Sequence, residues 1–81
     1  MKTIVFAPMA AKQFDALPAA AQAAVESALT RYAVEGLGDV KRLAGSDGRR
    51  LRVGNYRVLF DETATSIWVG FVGRRNTTTY H

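Results

Sequence analysis

The chain has no cysteine, one histidine and only two prolines. Without thiols it can form neither the disulfide staples nor the thiolate zinc sites that stabilise many short chains. A single His among scattered Asp and Glu leaves no ligand cluster for a metal. No Gly-x-x-x-x-Gly-Lys loop and no dinucleotide fingerprint is present, so no cofactor is expected. The apolar runs fall far short of the ~20 residues that span a bilayer. The opening Lys2-Thr-Ile-Val-Phe-Ala-Pro8 gives no sustained apolar h-region. These absences together predict a cytoplasmic protein with no membrane partner.

What the chain does have is a globular balance over 81 residues, with 48% hydrophobic and 22% charged side chains. Disordered chains are poorer in Val, Leu, Ile and aromatics, so residues 1–81 read as one domain. So short a domain buries only roughly 60% of its unfolded surface. Its stability is therefore expected to rest on close packing or on a bound partner.

Charge is unevenly placed. Residues 1–39 carry three cations against four acids, and residues 40–81 carry eight cations against three. The excess in the second half is almost entirely arginine, whose planar fork grips phosphate or carboxylate through two bonds where lysine offers a point charge. An anionic partner is expected.

Lys2–Phe6 is a β-branched and aromatic run that reads as a strand. Pro8 and Pro18 each suit the first turn of a helix, where the missing N–H removes no bond. Ala21, Val25, Ala28, Leu29 and Tyr32 fall on one helical stripe, and Gly36 and Gly38 end it. Residues 8–35 are thus predicted to form a helical hairpin with one apolar side. Residues 36–48 read as a connector anchored by Leu37, Val40 and Leu43. Gly54-Asn55 between two alternating runs is the signal of a two-residue hairpin turn. Asp61–Ser66 reads as a polar loop before a last strand over Ile67–Val72. The predicted order is β-α-α-β-β-β, an α+β domain with a small, mostly antiparallel sheet and helices on one face.

The hairpin sets the chemistry. A turn at Gly54-Asn55 pairs Val53 with Tyr56, Arg52 with Arg57, Leu51 with Val58 and Arg50 with Leu59. Leu51, Val53, Tyr56, Val58 and Phe60 then share the face that receives the helices, while Arg50, Arg52, Arg57 and Leu59 share the other. Like charges set opposite each other destabilise a strand pair, so this face reads as a site that waits for phosphates. Trp68 reads two ways. It is a core residue or, if Ile67, Val69 and Phe71 face the helices, a stacking platform on the arginine side. Gly70 inside the last strand marks a bulge or a close backbone approach.

Leu43-Ala-Gly45, Arg49-Arg-Leu-Arg-Val-Gly-Asn-Tyr-Arg-Val-Leu-Phe60, Val72-Gly-Arg-Arg75 and Tyr80, with Ala10-Ala-Lys-Gln-Phe14 and Asp15-Ala-Leu-Pro18 before them, resemble the RelE/ParE superfamily of toxin–antitoxin toxins. The resemblance runs over nearly the whole chain. It implies the toxin of a type II pair, and it leaves two activities: cleavage of mRNA on the ribosome, or poisoning of DNA gyrase. The RNase branch is built on basic residues of the central strands, an Arg on the last strand and a terminal Tyr. Carried over by position, these are Arg50, Arg52, Arg57, Arg75 and Tyr80. In well-known members lysines occupy the Arg50 and Arg52 positions, and Arg, which stays protonated throughout the accessible pH range, is a poor proton donor.

Metal-free cutting of RNA needs the 2′-OH to attack the adjacent phosphate, and clustered guanidiniums stabilise the charge that builds on the phosphoryl oxygens. Arg57 flanked by Arg52 is the expected centre. Tyr80 is expected either as acid or base, with its phenol pKa pulled down by the cations, or as a stacking partner for a base. His81 is the side chain that titrates naturally near neutral pH. Further RNA contacts are expected from Lys41, Arg42, Arg49, Arg74 and Trp68. The resemblance also implies an acidic antitoxin whose C-terminal segment wraps the toxin, with ribosome and mRNA, or alternatively gyrase, as the target.

Overall fold

The computed structural model describes residues 1–43 and 48–74. The β-branched run near the start forms β1 (Thr3–Phe6), and Pro8 opens α1 (Pro8–Asp15) from its first turn. The chain breaks at Leu17, Pro18 serves as the cap of α2 (Ala19–Glu35), and Gly36 closes that helix with its N–H bonded to the Tyr32 carbonyl. Four strands follow: β2 (Val40–Arg42), β3 (Arg49–Val53), β4 (Tyr56–Glu62) and β5 (Ser66–Arg74).

The sheet order is β1-β5-β4-β3-β2, with β1 parallel to β5 and every other pair antiparallel. Both helices pack on one face. The α+β class, the helical hairpin and the mostly antiparallel sheet are as the sequence implies. The register of the β3–β4 hairpin is the expected one, pair for pair from Arg50↔Leu59 to Val53↔Tyr56. Gly54 sits at φ 57, while Asn55 is not at positive φ, the combination a type II′ turn demands.

Three expectations need correction. The connector contributes a strand of its own, β2, which adds to the free edge of β3. Leu37 does not anchor it, being about half exposed, whereas Val40 packs against the core. Asp61 and Glu62 belong to β4 rather than to a loop, and β5 begins at Ser66 and runs on to Arg74.

The core lies between the helices and the sheet. Val25 and Leu29 of α2 meet Leu51, Val58, Phe60, Ile67, Val69 and Val72, all at most 3% exposed. Burying each such side chain is worth about 1.5–3 kcal/mol. Ala10 and Ala33 are also buried; having little bulk, they let the helices approach the sheet closely. Tilted ring pairs Phe6–Phe14 and Tyr32–Phe60, with centroids 5.3 and 5.5 Å apart, close its margins. Among the described residues no helix is long and apolar enough to cross a membrane.

Candidate functional site

The sheet face away from the helices is the candidate site. Side chains alternate across a strand, so the registers define rows on this face. One row runs Lys41, Arg50, Leu59, Phe71 across β2 to β5. The next holds Arg52 opposite Arg57, with Gly73 beyond. On the other side of the Leu59 row, Asp61 lies opposite Trp68, and Trp68 opposite Val5. Arg50, Arg52, Arg57 and Lys41 thus gather on one surface.

Arg57 is the best-seated of the four. Its guanidinium carbon lies 5.6 Å from the centroid of the Phe71 ring, within the range of cation–π attraction. Its Nε is buried. The ring in turn lies over Gly73, because a Cβ built on that residue would stand 2.5 Å from the nearest ring carbon. Any side chain at position 73 would push the ring from under the arginine. Gly73, Phe71 and Arg57 form a stack that holds one guanidinium at a fixed height above the sheet.

Phe71 is a site residue that alternation assigns to the helix side. The reason is a bulge: Leu59 pairs with Phe71, but Phe60 pairs with Val69, leaving Gly70 as an extra residue in β5. One inserted residue reverses the faces downstream of it. Phe71 turns to the arginine side and Val72, 2% exposed, turns into the core. Gly70 was the available signal. Trp68, upstream of the bulge, lies on the arginine side and is 51% exposed, which decides between its two readings in favour of the surface.

Arg52 has an acid neighbour that lies far off in sequence. Asp39 places Oδ2 4.0 Å from the Arg52 Nε, and its carbonyl accepts the Arg52 backbone N–H at 2.9 Å. Both side chains are more than half exposed, so the ion pair is worth about 0–1 kcal/mol.

The remaining predicted residues divide. Arg49 pairs with Phe60, Arg42 with Arg49, and Arg74 with Tyr56, so all three fall on the helix side of the sheet and not in the arginine cluster. Arg49 acts there on Glu62 and Tyr32. Arg75, Tyr80 and His81 lie outside the described residues.

On that opposite side a polar clasp ties the residue before β1 to α2 and β4. The Lys2 ammonium donates to the Glu62 carboxylate and, at 2.6 Å, to the Thr63 carbonyl, while the Tyr32 hydroxyl donates to Glu62 Oε1 at 2.7 Å. The bond from Lys2 is the largest influence holding the Glu62 carboxyl below its ordinary range, against the opposing effect of burial. Burial first, and then the bond to Glu62, push the Tyr32 phenol above its usual value.

A small α+β domain with a helical hairpin packed on one face of a mostly antiparallel sheet is a defined class of fold. Comparison with solved structures identifies it as the fold of the RelE toxins. The chain resembles a chain of the intact Escherichia coli RelBE toxin–antitoxin complex with a TM-score of 0.78 at 16% identity, over 95% of this chain and 100% of that one. Against the RelE–RelB complex of Pyrococcus horikoshii the TM-score is 0.77 at 21% identity, over 95% and 98% of the two chains. Against the RelBE2 complex of Mycobacterium tuberculosis it is 0.71 at 25% identity, over 91% and 98%. No protein-family model and no curated protein sequence matches the chain.

Proposed function

We propose that the chain is the toxin of a type II toxin–antitoxin pair and that it cuts mRNA on the ribosome without a metal. The observation that carries this reading is the like-charged pair Arg52–Arg57 on the open sheet face, one member of which rests on an aromatic ring. Asp39 offsets the repulsion only weakly, as an exposed partner 4.0 Å from Arg52, and the two like charges still face each other across the strand pair. Here the surface supplies fixed positive charge for a phosphate.

In the proposed reaction the RNA 2′-oxygen attacks the neighbouring phosphorus as the bond from phosphorus to the 5′-oxygen breaks. The products are a 2′,3′-cyclic phosphate and a free 5′-hydroxyl. The 2′-proton passes to a base, and the leaving oxygen takes a proton from an acid. Arg57, with Arg50 and Arg52 beside it, neutralises charge on the non-bridging oxygens, most strongly in the transition state. Tyr80 and His81 are the proposed proton carriers. The type II assignment also supplies an acidic antitoxin as partner, in keeping with neighbours that were solved as RelE–RelB complexes.

The test is purified protein added to a translating extract, with primer extension along the mRNA, beside a supercoiling assay on DNA gyrase. Cuts within codons occupied by the ribosome support the reading. Intact mRNA with inhibited supercoiling assigns the chain to the gyrase-directed activity instead.

A further inference from the structure

The arginine face carries an acid and an aromatic ring that phosphate chemistry does not use. Asp61 and Trp68 are direct cross-strand partners of β4 and β5, both exposed, on the same face as Arg57. A carboxylate there repels phosphates, so it weakens the very field the guanidiniums create. The two residues line a shallow depression of about 150 Å³ together with Leu59 and Gly70. Gly70, the bulged residue, leaves its floor without a side chain. Asp61 lies four residues along β4 from Arg57, about 13 Å at strand rise, a span that a short piece of single-stranded RNA crosses.

We propose that Trp68 and Asp61 form a subsite for one RNA nucleobase, guanine, beside the arginine face. The proposal rests on the RNA-cutting reading for its biological setting but not for its test. Indole faces stack on bases whatever their identity, so Trp68 supplies affinity. Selection falls to Asp61, whose ionised carboxylate is acceptor-only and presents two oxygens side by side. Guanine alone among the four bases sets two donors next to each other on its Watson–Crick edge, the N1–H and the N2 amino group, and pairs with a carboxylate through two parallel bonds. Cytosine and adenine offer one amino group beside a ring acceptor. Uracil offers one N–H between two carbonyl oxygens that repel the carboxylate.

Trp68 is the only tryptophan of the chain, so its emission reports the subsite directly. The full chain is titrated with the 5′-monophosphates of guanosine, cytidine, adenosine and uridine while Trp68 fluorescence is followed. GMP is expected to quench at about tenfold lower concentration than UMP, the discrimination that a bidentate base contact confers. In Asp61→Asn the nucleotides of cytosine, adenine and uracil should bind somewhat more tightly, because a negative charge is gone, whereas GMP loses its two bonds and should weaken, so that the ratio of GMP to UMP affinity falls to near one. A carboxylate that only shapes the field predicts a uniform gain at constant ratio, and that result overturns the proposal. So does equal quenching by all four nucleotides, or none. RNA cutting that continues without a guanine preference sinks the subsite and leaves the nuclease standing. A guanine preference in a protein that cuts no RNA sinks the nuclease and leaves the subsite standing.

Discussion

At the scale of single residues, the arginine face gives opposite forecasts for activity and for stability. Arg57→Glu is expected to lower RNA cutting by at least about 10²–10³-fold, the loss typical of removing one preorganised charge-stabilising group. Its fold should survive, because the new carboxylate faces Arg52 across the strand pair and exchanges repulsion for attraction. A folded variant as toxic as the parent would remove the arginine face from the mechanism. Arg52→Ala should weaken activity while leaving the melting temperature unchanged or slightly raised, since the repulsion from Arg57 is relieved and the exposed pair with Asp39 is weak. A drop of several degrees would make that pair structural. Gly73→Ala tests the stack from beneath. Its Cβ would stand 2.5 Å from the far end of the Phe71 ring, so the ring must swing aside. On the open sheet face this should cost about 1 kcal/mol or less, the low end of overpacking, or at most roughly 4–8 °C of melting temperature in a domain this small. Gly70→Ala is the control. Its Cβ meets nothing nearer than the Leu59 carbonyl at 4.0 Å, so melting should stay nearly constant. Equal melting temperatures for the two alanine variants would mean that the ring yields freely.

At the scale of elements, the clasp of Lys2, Tyr32 and Glu62 joins the residue before β1 to α2 and β4 and carries a pH signature. Glu62 titrates below its ordinary value of 4.5 in the folded chain, so its contribution is present above that pH and is lost as pH falls through the lower folded value. Tyr32 titrates above 10.0, so its contribution is present below that pH and is lost as pH rises past it. Urea midpoints measured against pH should fall at both ends, and Glu62→Gln should flatten the acid limb. An unchanged acid limb would show that other carboxylates set it. How far these elements can be read from the sequence depends on how local their causes are. The hairpin register follows from Gly54-Asn55 and strict alternation, both visible within a dozen residues. Strand β2 does not, because Val-Lys-Arg has no strand signal until β3 offers it an edge. Phe71 misleads for a related reason: Gly70 announces an irregularity, but which way it turns the next residue depends on the register against β4. The Arg52–Asp39 and Glu62–Lys2 contacts are likewise tertiary facts.

At the scale of the whole molecule, a domain with so little core gains much from a partner. A net-acidic antitoxin segment that binds only the folded chain would add about 4 kcal/mol at a thousandfold excess over its Kd. Co-expression with an adjacent small reading frame should therefore yield a complex that melts well above the chain alone. Raised salt should loosen it, since part of the attraction is between exposed charges. A partner that co-purifies without raising the melting temperature would be bound to something other than the native fold.

The opposed arginines have one more consequence, which concerns the reservoir of ions around the molecule. Two guanidiniums held across a strand pair make the native state a better anion sink than the unfolded chain, where the same charges drift apart. Folding and anion uptake become linked equilibria, so the protein is least stable in dilute buffers that lack a multivalent anion. Inorganic phosphate should raise the melting temperature of the parent more than that of Arg52→Ala, with the difference separating specific uptake from the general salting effect. On this view the surface that would cut RNA also makes the fold depend on having something negative to hold.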